Sequence, residues 1–474
     1  MDTSVDAGWE EGEESAALAG ARVLIADASV QYRATLRAIV ESLGAVDVAE
    51  AGNIDEIAAA LHEADTQVML CGSRFSDGRN GAQLLEELRE RQLLPAAALV
   101  VVIGGERTRR EVAAVAELGP DAVILKPFSR DDVVQRLLRY RQRKLRLGAL
   151  LAAADAGRIV EAVEGCRRLA AEQPSLHSEA YRLVCERLLA LGRFELLAPL
   201  LREAMALRPL PWALLMVARL RWQEHQLDEA CRIAEGVVHK WPSYLAGYDL
   251  LAQLNEQLGR PEQALEWLDR AAEVSAFNLR RLRRSGEIAL RSGNLPRAEQ
   301  AYARIVERTG PPASSGGADY ANLIQVMLAR GRFEAAQRVI EDEADRLGDG
   351  HGDAQVTRIL FELARARRDE DAEAIDGALE TLAQRVREGV ADLSPTLLLQ
   401  GLEVCAEFGR HETGYPLAQQ IAHSTRIDRL MLQRARLLVD RLRRQPRVQM
   451  SVPAVDEGAA GEGDAGELRL SEAV

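Results

Sequence analysis

The chain has 474 residues, enough for more than one compact domain, and only 4% of them are aromatic while alanine, leucine and arginine abound. Its formal net charge is −13, but residues 1–20 and 447–474 carry −6 and −4 of it, leaving a body that is close to neutral and projects no field to recruit nucleic acid. The five cysteines (Cys71, Cys166, Cys185, Cys231, Cys405) form no Cys-x-x-Cys pair, and no run is apolar enough for a signal peptide or a membrane span. A disulfide framework and a zinc site are therefore excluded, and a soluble, cytoplasmic protein without cofactor is expected.

The two acidic tails are rich in Gly, Glu, Ala and Ser and lack the apolar residues to fold, so 1–20 and 447–474 are expected to be disordered. From Arg22 short apolar runs alternate with amphipathic segments. Strands are predicted at Val23–Ala26, Val46–Ala49, Val68–Cys71, Leu99–Ile103 and Ala122–Leu125. Helices are predicted at about 30–43, 53–64, 80–91, 107–118 and 130–146. Five such units imply one doubly wound parallel sheet, whose working site lies at the carboxyl ends of the strands.

The segments RVLIADAS (22–29), VMLCGSRFSDGRNG (68–81) and VILKPF (123–128) resemble, in order and spacing, the signature segments of response-regulator receiver domains; the match covers essentially all of 21–140, and the domain is expected to span 21–142. In that family two acids after the first strand hold Mg²⁺, and an aspartate ending the third strand accepts a phosphoryl group. A hydroxyl residue after the fourth strand and a lysine after the fifth complete the site. That chemistry needs a carboxylate nucleophile, a hard cation and a positive group for the developing charge. Position by position, Asp27 matches the first acid but Ala28 replaces the second, Gly72 stands at the acceptor position, Gly104 at the hydroxyl position, and only Lys126 remains beside Asp27. Asp77, five residues past Gly72, lies in a loop and is a poor substitute. The resemblance thus implies a phosphorylation-incompetent pseudo-receiver, with Asp27 and Lys126 kept as a structural ion pair.

Beyond Lys144 every segment reads as a helix. Turn positions recur at Gly157, Gly192, His225, Gly259, Gly293 and Gly331, about 34 residues apart. Five residues past the turn stands a small residue (Ala162, Ala230, Ala264, Ala298, Ala336), and seventeen past it comes Pro174, Pro209 or Pro242. Glycine permits the tight reversal, alanine the close helix approach, and proline ends the second helix. Period and pattern resemble tetratricopeptide repeats over 143–345, with a loop inserted at Gly310–Gly317. Divergent helical repeats, including a turn at Asp369–Glu373 and another at Gly409, fill 346–446 and end in a capping helix near Ile427–Arg444. The whole resembles bacterial response regulators that carry such repeats: a flavodoxin-like α/β domain followed by an all-α solenoid.

By the repeat family's register, the concave face takes Glu179, Arg182, Glu186, Trp212, Arg219, Trp222, Asp249, Gln253, Arg280, Arg283 and Glu287. Such a groove suits an extended peptide or a helix. Packing of Trp212 and Trp222 into neighbouring repeats, and solvation of the charged residues, are the alternatives. The expected function is a non-catalytic scaffold in bacterial two-component signalling. It binds a protein partner through the groove, and the pseudo-receiver serves as docking, sensing or homodimerising module. A competing reading is a transcriptional or RNA-associated regulator using the clusters Arg139–Arg146 and Arg280–Arg284. GEGDAG at 461–466 has no strand before it and no helix after, so it is not a dinucleotide loop.

Overall fold

The computed structural model describes residues 17–444, apart from 64, 73–74, 76–80, 82–83, 86–87, 89–92, 95–97, 106–114, 116, 118, 276–277, 310–316, 348–351, 391–392 and 424–428. Asp77 and the inserted loop at 310–316 therefore lie outside the described residues, as do most of the two tails. The described chain forms two compact units, one through Phe361 and one from Glu362.

The first unit begins with five parallel strands: β1 (Arg22–Ala26), β2 (Asp47–Ala51), β3 (Val68–Gly72), β4 (Leu99–Gly104) and β5 (Ala122–Leu125). They pair in the order β2-β1-β3-β4-β5, the flavodoxin-like doubly wound arrangement. Successive side chains on a strand point to opposite faces, so the apolar runs feed two layers of core. Val23, Ile25, Val68, Leu70, Val101 and Ile103 join Leu36 and Val40 of α1 (Val30–Ser42) on one side. Leu24, Met69, Cys71, Val100 and Val102 join Ile57 of α2 (Ile54–Glu63) on the other. Two boundaries differ from expectation. Strand β2 sits later than predicted, because pairing with β1 runs Arg22 to Asp47 through Ala26 to Ala51 and extends the strand to the sheet edge. The fold also starts before residue 21: Leu18 is 1% exposed, packs in the core, and its N–H donates to Leu43 O (2.7 Å). One leucine flanked by alanines is enough to cover that end of the core, although its segment is acidic overall.

Helix α3 spans Arg130–Asp155 without a break. Ser129 and Asp132 form a reciprocal capping box at its start. Its first half buries Val133, Val134, Leu137 and Leu138 against the sheet; its second half buries Leu147, Leu150, Ala153 and Ala154 under the first repeat. Lys144 Nζ donates to Ala98 O (2.6 Å) and Asp121 (2.9 Å), so α3 is pinned to the sheet where it leaves it.

The rest of the first unit is a series of antiparallel helix pairs. Every turn residue expected from the sequence is left-handed: Gly157, Gly192, His225, Gly259, Gly293 and Gly331 have φ between 62° and 76°. The amide after each turn donates back across it, as in Arg158 N to Ala153 O (2.9 Å) and Arg260 N to Asn255 O (2.8 Å), the bond that closes a helix C-terminus. The alanines five residues on are fully buried between neighbouring helices. The repeated residues therefore mark where the chain must reverse and where helices must touch.

The second unit continues the pairing. Gly409 (φ 65°) joins Pro395–Phe408 to His411–His423, and the helix Arg429–Arg444 buries Ala435, Val439 and Leu442. Glu370 (φ 55°) makes the reversal before Ala372–Glu388. Among the described residues, no helix is long and apolar enough to cross a membrane.

Candidate functional site

The strand ends converge at the sheet's carboxyl edge and set the first candidate site. Asp27 follows β1 and is 4% exposed. Its Oδ1 accepts from Ser29 N (2.8 Å) and its Oδ2 from Lys126 Nζ (2.9 Å), the residue after β5. Gly72 ends β3 and Gly104 ends β4, both buried; the Gly104 carbonyl accepts from Lys126 N (2.7 Å). A Cβ added at Gly72 would stand 2.4 Å from Asp27 Oδ2 and 2.8 Å from its Cγ. The Asp27 carboxylate thus fills the space that a side chain at 72 would need. Lys126 Nζ also lies 3.7 Å from the centroid of the Tyr32 ring, which itself packs 6.0 Å from Phe128. The cation is held between a carboxylate and an aromatic face. Sequence reasoning linked Asp27 to Lys126 but missed Tyr32, since nothing in the chain pairs an aromatic in the first turn of α1 with a lysine 94 residues on.

These residues do not fit a magnesium ion. Asp27 gives one carboxylate, already engaged by Lys126, and Ala28 and Gly72 bring no side-chain oxygen. Among the described residues, no group of three His, Cys, Asp or Glu could hold a metal ion.

The second candidate site is the inner face of the helix pairs. Arg182, Glu186, Arg219, Tyr244, Asp249 and Arg280 act on one another electrostatically across neighbouring repeats. Partial burial lowers the Arg219 pKa, reinforced by Arg280 and opposed by Asp249 and Glu186. Desolvation holds Glu186 above the ordinary carboxylate range against the pull of Arg182 and Arg219. Tyr244, absent from the expected face, is raised chiefly by burial. Asp249 and Gln253 are half-buried and Arg280 is exposed. Arg283 donates to Asp319 (2.9 Å).

The tryptophans are placed differently. Trp212 is 8% exposed inside the core cluster of the first repeats, and its Nε1 donates to Ser178 Oγ (3.0 Å). Trp222 packs on the cluster around Leu215 and Ala230. Both fill gaps between repeats, and Trp212 has little face left for a partner. Some members of the basic clusters are paired internally: Arg143 with Glu179, Lys144 with Asp121, Arg281 with Glu117 and Asp249, Arg284 with Glu256, while Arg139 and Arg146 are exposed.

Residues 23–138 match the family model of the response regulator receiver domain. No curated protein matches the chain. Among solved structures, a tetratricopeptide repeat protein from Parabacteroides merdae is 15% identical, covering 52% of this chain and 94% of its own, with a TM-score of 0.30. A repeat-containing protein from Cytophaga hutchinsonii is 14% identical over 61% of this chain and 98% of its own (TM-score 0.33). One from Thermus thermophilus is 20% identical over 40% and 98% (TM-score 0.26).

Proposed function

We propose that this chain, a response-regulator receiver domain fused to tetratricopeptide-type helix pairs, is a non-catalytic signalling adaptor. In it the receiver domain works without phosphorylation and the inner face of the repeats docks a partner protein. The observation that carries the first half is the Asp27 carboxylate, which is locked to Lys126 in the space a side chain at Gly72 would occupy. Phosphoryl transfer to a receiver needs a carboxylate nucleophile held beside a metal-bound phosphoryl group. Position 72 supplies no nucleophile, and Asp27 is committed to neutralising Lys126. Incubation with acetyl phosphate and Mg²⁺ followed by intact-mass measurement is expected to show no acid-labile adduct. An adduct mapped to this domain would overturn the reading.

For the second half, the support is that Glu186, Arg219, Asp249 and Arg280, from successive repeats, lie close enough to act on one another electrostatically. Charges of both signs on a rigid curved surface select a partner by register and complementarity more than by bulk affinity. Affinity capture with Arg219→Ala, which leaves the core untouched, is expected to lose the bound partner; an unchanged set of captured proteins would remove the groove from this account. Sensing by the receiver domain, passed along the unbroken helix α3, is a second reading within signalling that the shared burial of its two halves favours. Against the nucleic-acid reading, Arg143, Lys144, Arg281 and Arg284 are each held by a carboxylate, and a cation so held offers little to a phosphate.

A further inference from the structure

On the inner face, Arg281 is the one member of its basic cluster that is deeply buried, its side chain 4% exposed. Asp249 from the preceding repeat accepts from its Nε (2.9 Å) and Nη2 (3.1 Å) and so fixes the guanidinium plane. Asn278 caps the same helix, its Oδ1 accepting from Arg281 N (2.9 Å), which turns its Nδ2 the opposite way. Nδ2 and the Arg281 guanidinium then converge on one oxygen: Glu117 Oε1 accepts from Asn278 (2.6 Å) and from Arg281 Nη2. Glu117 is no part of the repeats. It stands in helical backbone just before β5, in the receiver domain, 164 residues from Arg281.

Three residues of the array thus orient two donors without outside help, and the acceptor arrives from another domain. The occupant fits incompletely. Both donors use Oε1, while Glu117 Oε2 and Arg281 Nη1 are each buried with no hydrogen-bond partner. A carboxylate turned to meet the guanidinium with both oxygens would satisfy the two together, and such bidentate pairs are the stronger form. Arg219 and Arg280 repel each other on the same wall, a repulsion that Asp249 and Glu186 oppose at Arg219.

We propose that Asn278 and Arg281 form a carboxylate-recognition site on the inner face of the array, occupied in cis by Glu117, and that a partner enters by presenting an acidic side chain that displaces Glu117 and frees this face from the receiver domain. The proposal rests on the reading that the inner face docks a protein, and gives that partner its chemistry. Groove binding and receiver docking are then mutually exclusive, so each weakens the other by the same factor.

The test uses the full chain and, as probe, a labelled peptide with the sequence of residues 105–121, beside the same peptide carrying glutamine at the position of Glu117. Glu117→Ala empties the site, and Glu117→Gln keeps the side-chain volume but removes the charge that holds it there. Both variants are expected to bind the glutamate peptide at least tenfold more tightly than the wild type does, and at least tenfold more tightly than they bind the glutamine peptide. Adding Arg281→Lys, which keeps the charge but removes the planar fork, should abolish the preference. Equal binding by wild type and both variants, or equal binding of the two peptides, overturns the proposal. If the peptide assay fails while Arg219→Ala still strips the captured partner, this site falls and the adaptor reading stands. If the peptide binds as expected and Arg219→Ala changes nothing, the adaptor reading falls and this site stands.

Discussion

Restoring an acceptor by Gly72→Asp should damage the receiver domain rather than revive it. The added Cβ would lie 2.4 Å from Asp27 Oδ2, closer than unbonded atoms approach, so Asp27 must swing away. In doing so it surrenders the bonds from Lys126 Nζ (2.9 Å) and Ser29 N (2.8 Å). Hydrogen bonds to a charged group contribute about 1.5–3 kcal/mol each, and the new carboxylate recovers one of them by taking Lys126 while facing a like-charged Asp27. The net loss is roughly 2–4 kcal/mol. All five tryptophans lie in the acidic tail or the repeats, so fluorescence is blind to this domain, but Cys71 is buried beside Gly72 and reports its opening. Thiol labelling of Cys71, followed by peptide mass and normalised to the unfolded chain, should accelerate roughly 30- to 700-fold, at about 1.4 kcal/mol per tenfold. Cys166 and Cys185, in the repeats, should not change. The double variant Asp27→Ala, Gly72→Asp should recover most of the loss, because the new carboxylate then inherits Lys126 unopposed. Wild-type labelling in the single variant, or a double variant as labile as the single, would refute the crowding argument.

Glu50 ties β2 to α1 by accepting from Arg37 and from Arg33 (3.2 Å), and these bonds hold its carboxyl below the usual range. A depressed carboxylate stabilises the fold above its unfolded pKa and loses that contribution as pH falls through the folded one. Glu50→Gln should therefore speed Cys71 labelling at pH 7, by roughly 1 kcal/mol, and have no effect once the pH is well below 4. His225 adopts φ 62° where the turns at 157, 192, 259, 293 and 331 use glycine, so His225→Gly should stabilise the array by about 0.5–1 kcal/mol in urea unfolding followed by tryptophan fluorescence. Trp212→Phe should cost the array about 1 kcal/mol through the lost Ser178 bond, and Trp212→Ala about 3–5 kcal/mol through the cavity; no loss with alanine would place Trp212 on the surface after all.

What was legible in the chain is local. The reversals at Gly157 through Gly331 were readable because a left-handed residue and a fully buried alanine five positions on are demands of each helix pair by itself. His225 was readable only through the period, since no propensity argument favours histidine there. Strand β2 slipped because its edge position relaxes the alternation: Asp47, Val48, Ala49 and Glu50 face a sheet edge where polar and apolar residues are equally tolerated. The apolar residues of α3 change partner from sheet to repeat after Leu138, which shifts the buried stripe without breaking the helix.

The sites divide the same way. Asp27, Ala28, Gly72, Gly104 and Lys126 could be placed at one edge because the strand ends of a parallel sheet follow from sequence spacing, and what was invisible is that the Asp27 carboxylate stands where a side chain at Gly72 would need to be. The concave wall could be assigned by register only to the helix, not to the face of each residue. Register marked Trp212 as presented where the packing of the preceding repeat claims it, and passed over Arg281, one residue from Arg280, whose direction is set by Asp249. The joint between Glu117 and Arg281 lies further from reach. A glutamate in an amphipathic helix and an arginine in a basic run are each what a solvated surface also carries. Only folding, by stacking successive repeats on the end of α3, brings those two surfaces face to face and strips the water from the pair. A buried ion pair between domains is weak evidence for stability, because desolvation offsets most of its attraction. Its value here is that it is specific and reversible: it can hold the receiver domain on the groove without holding it there permanently.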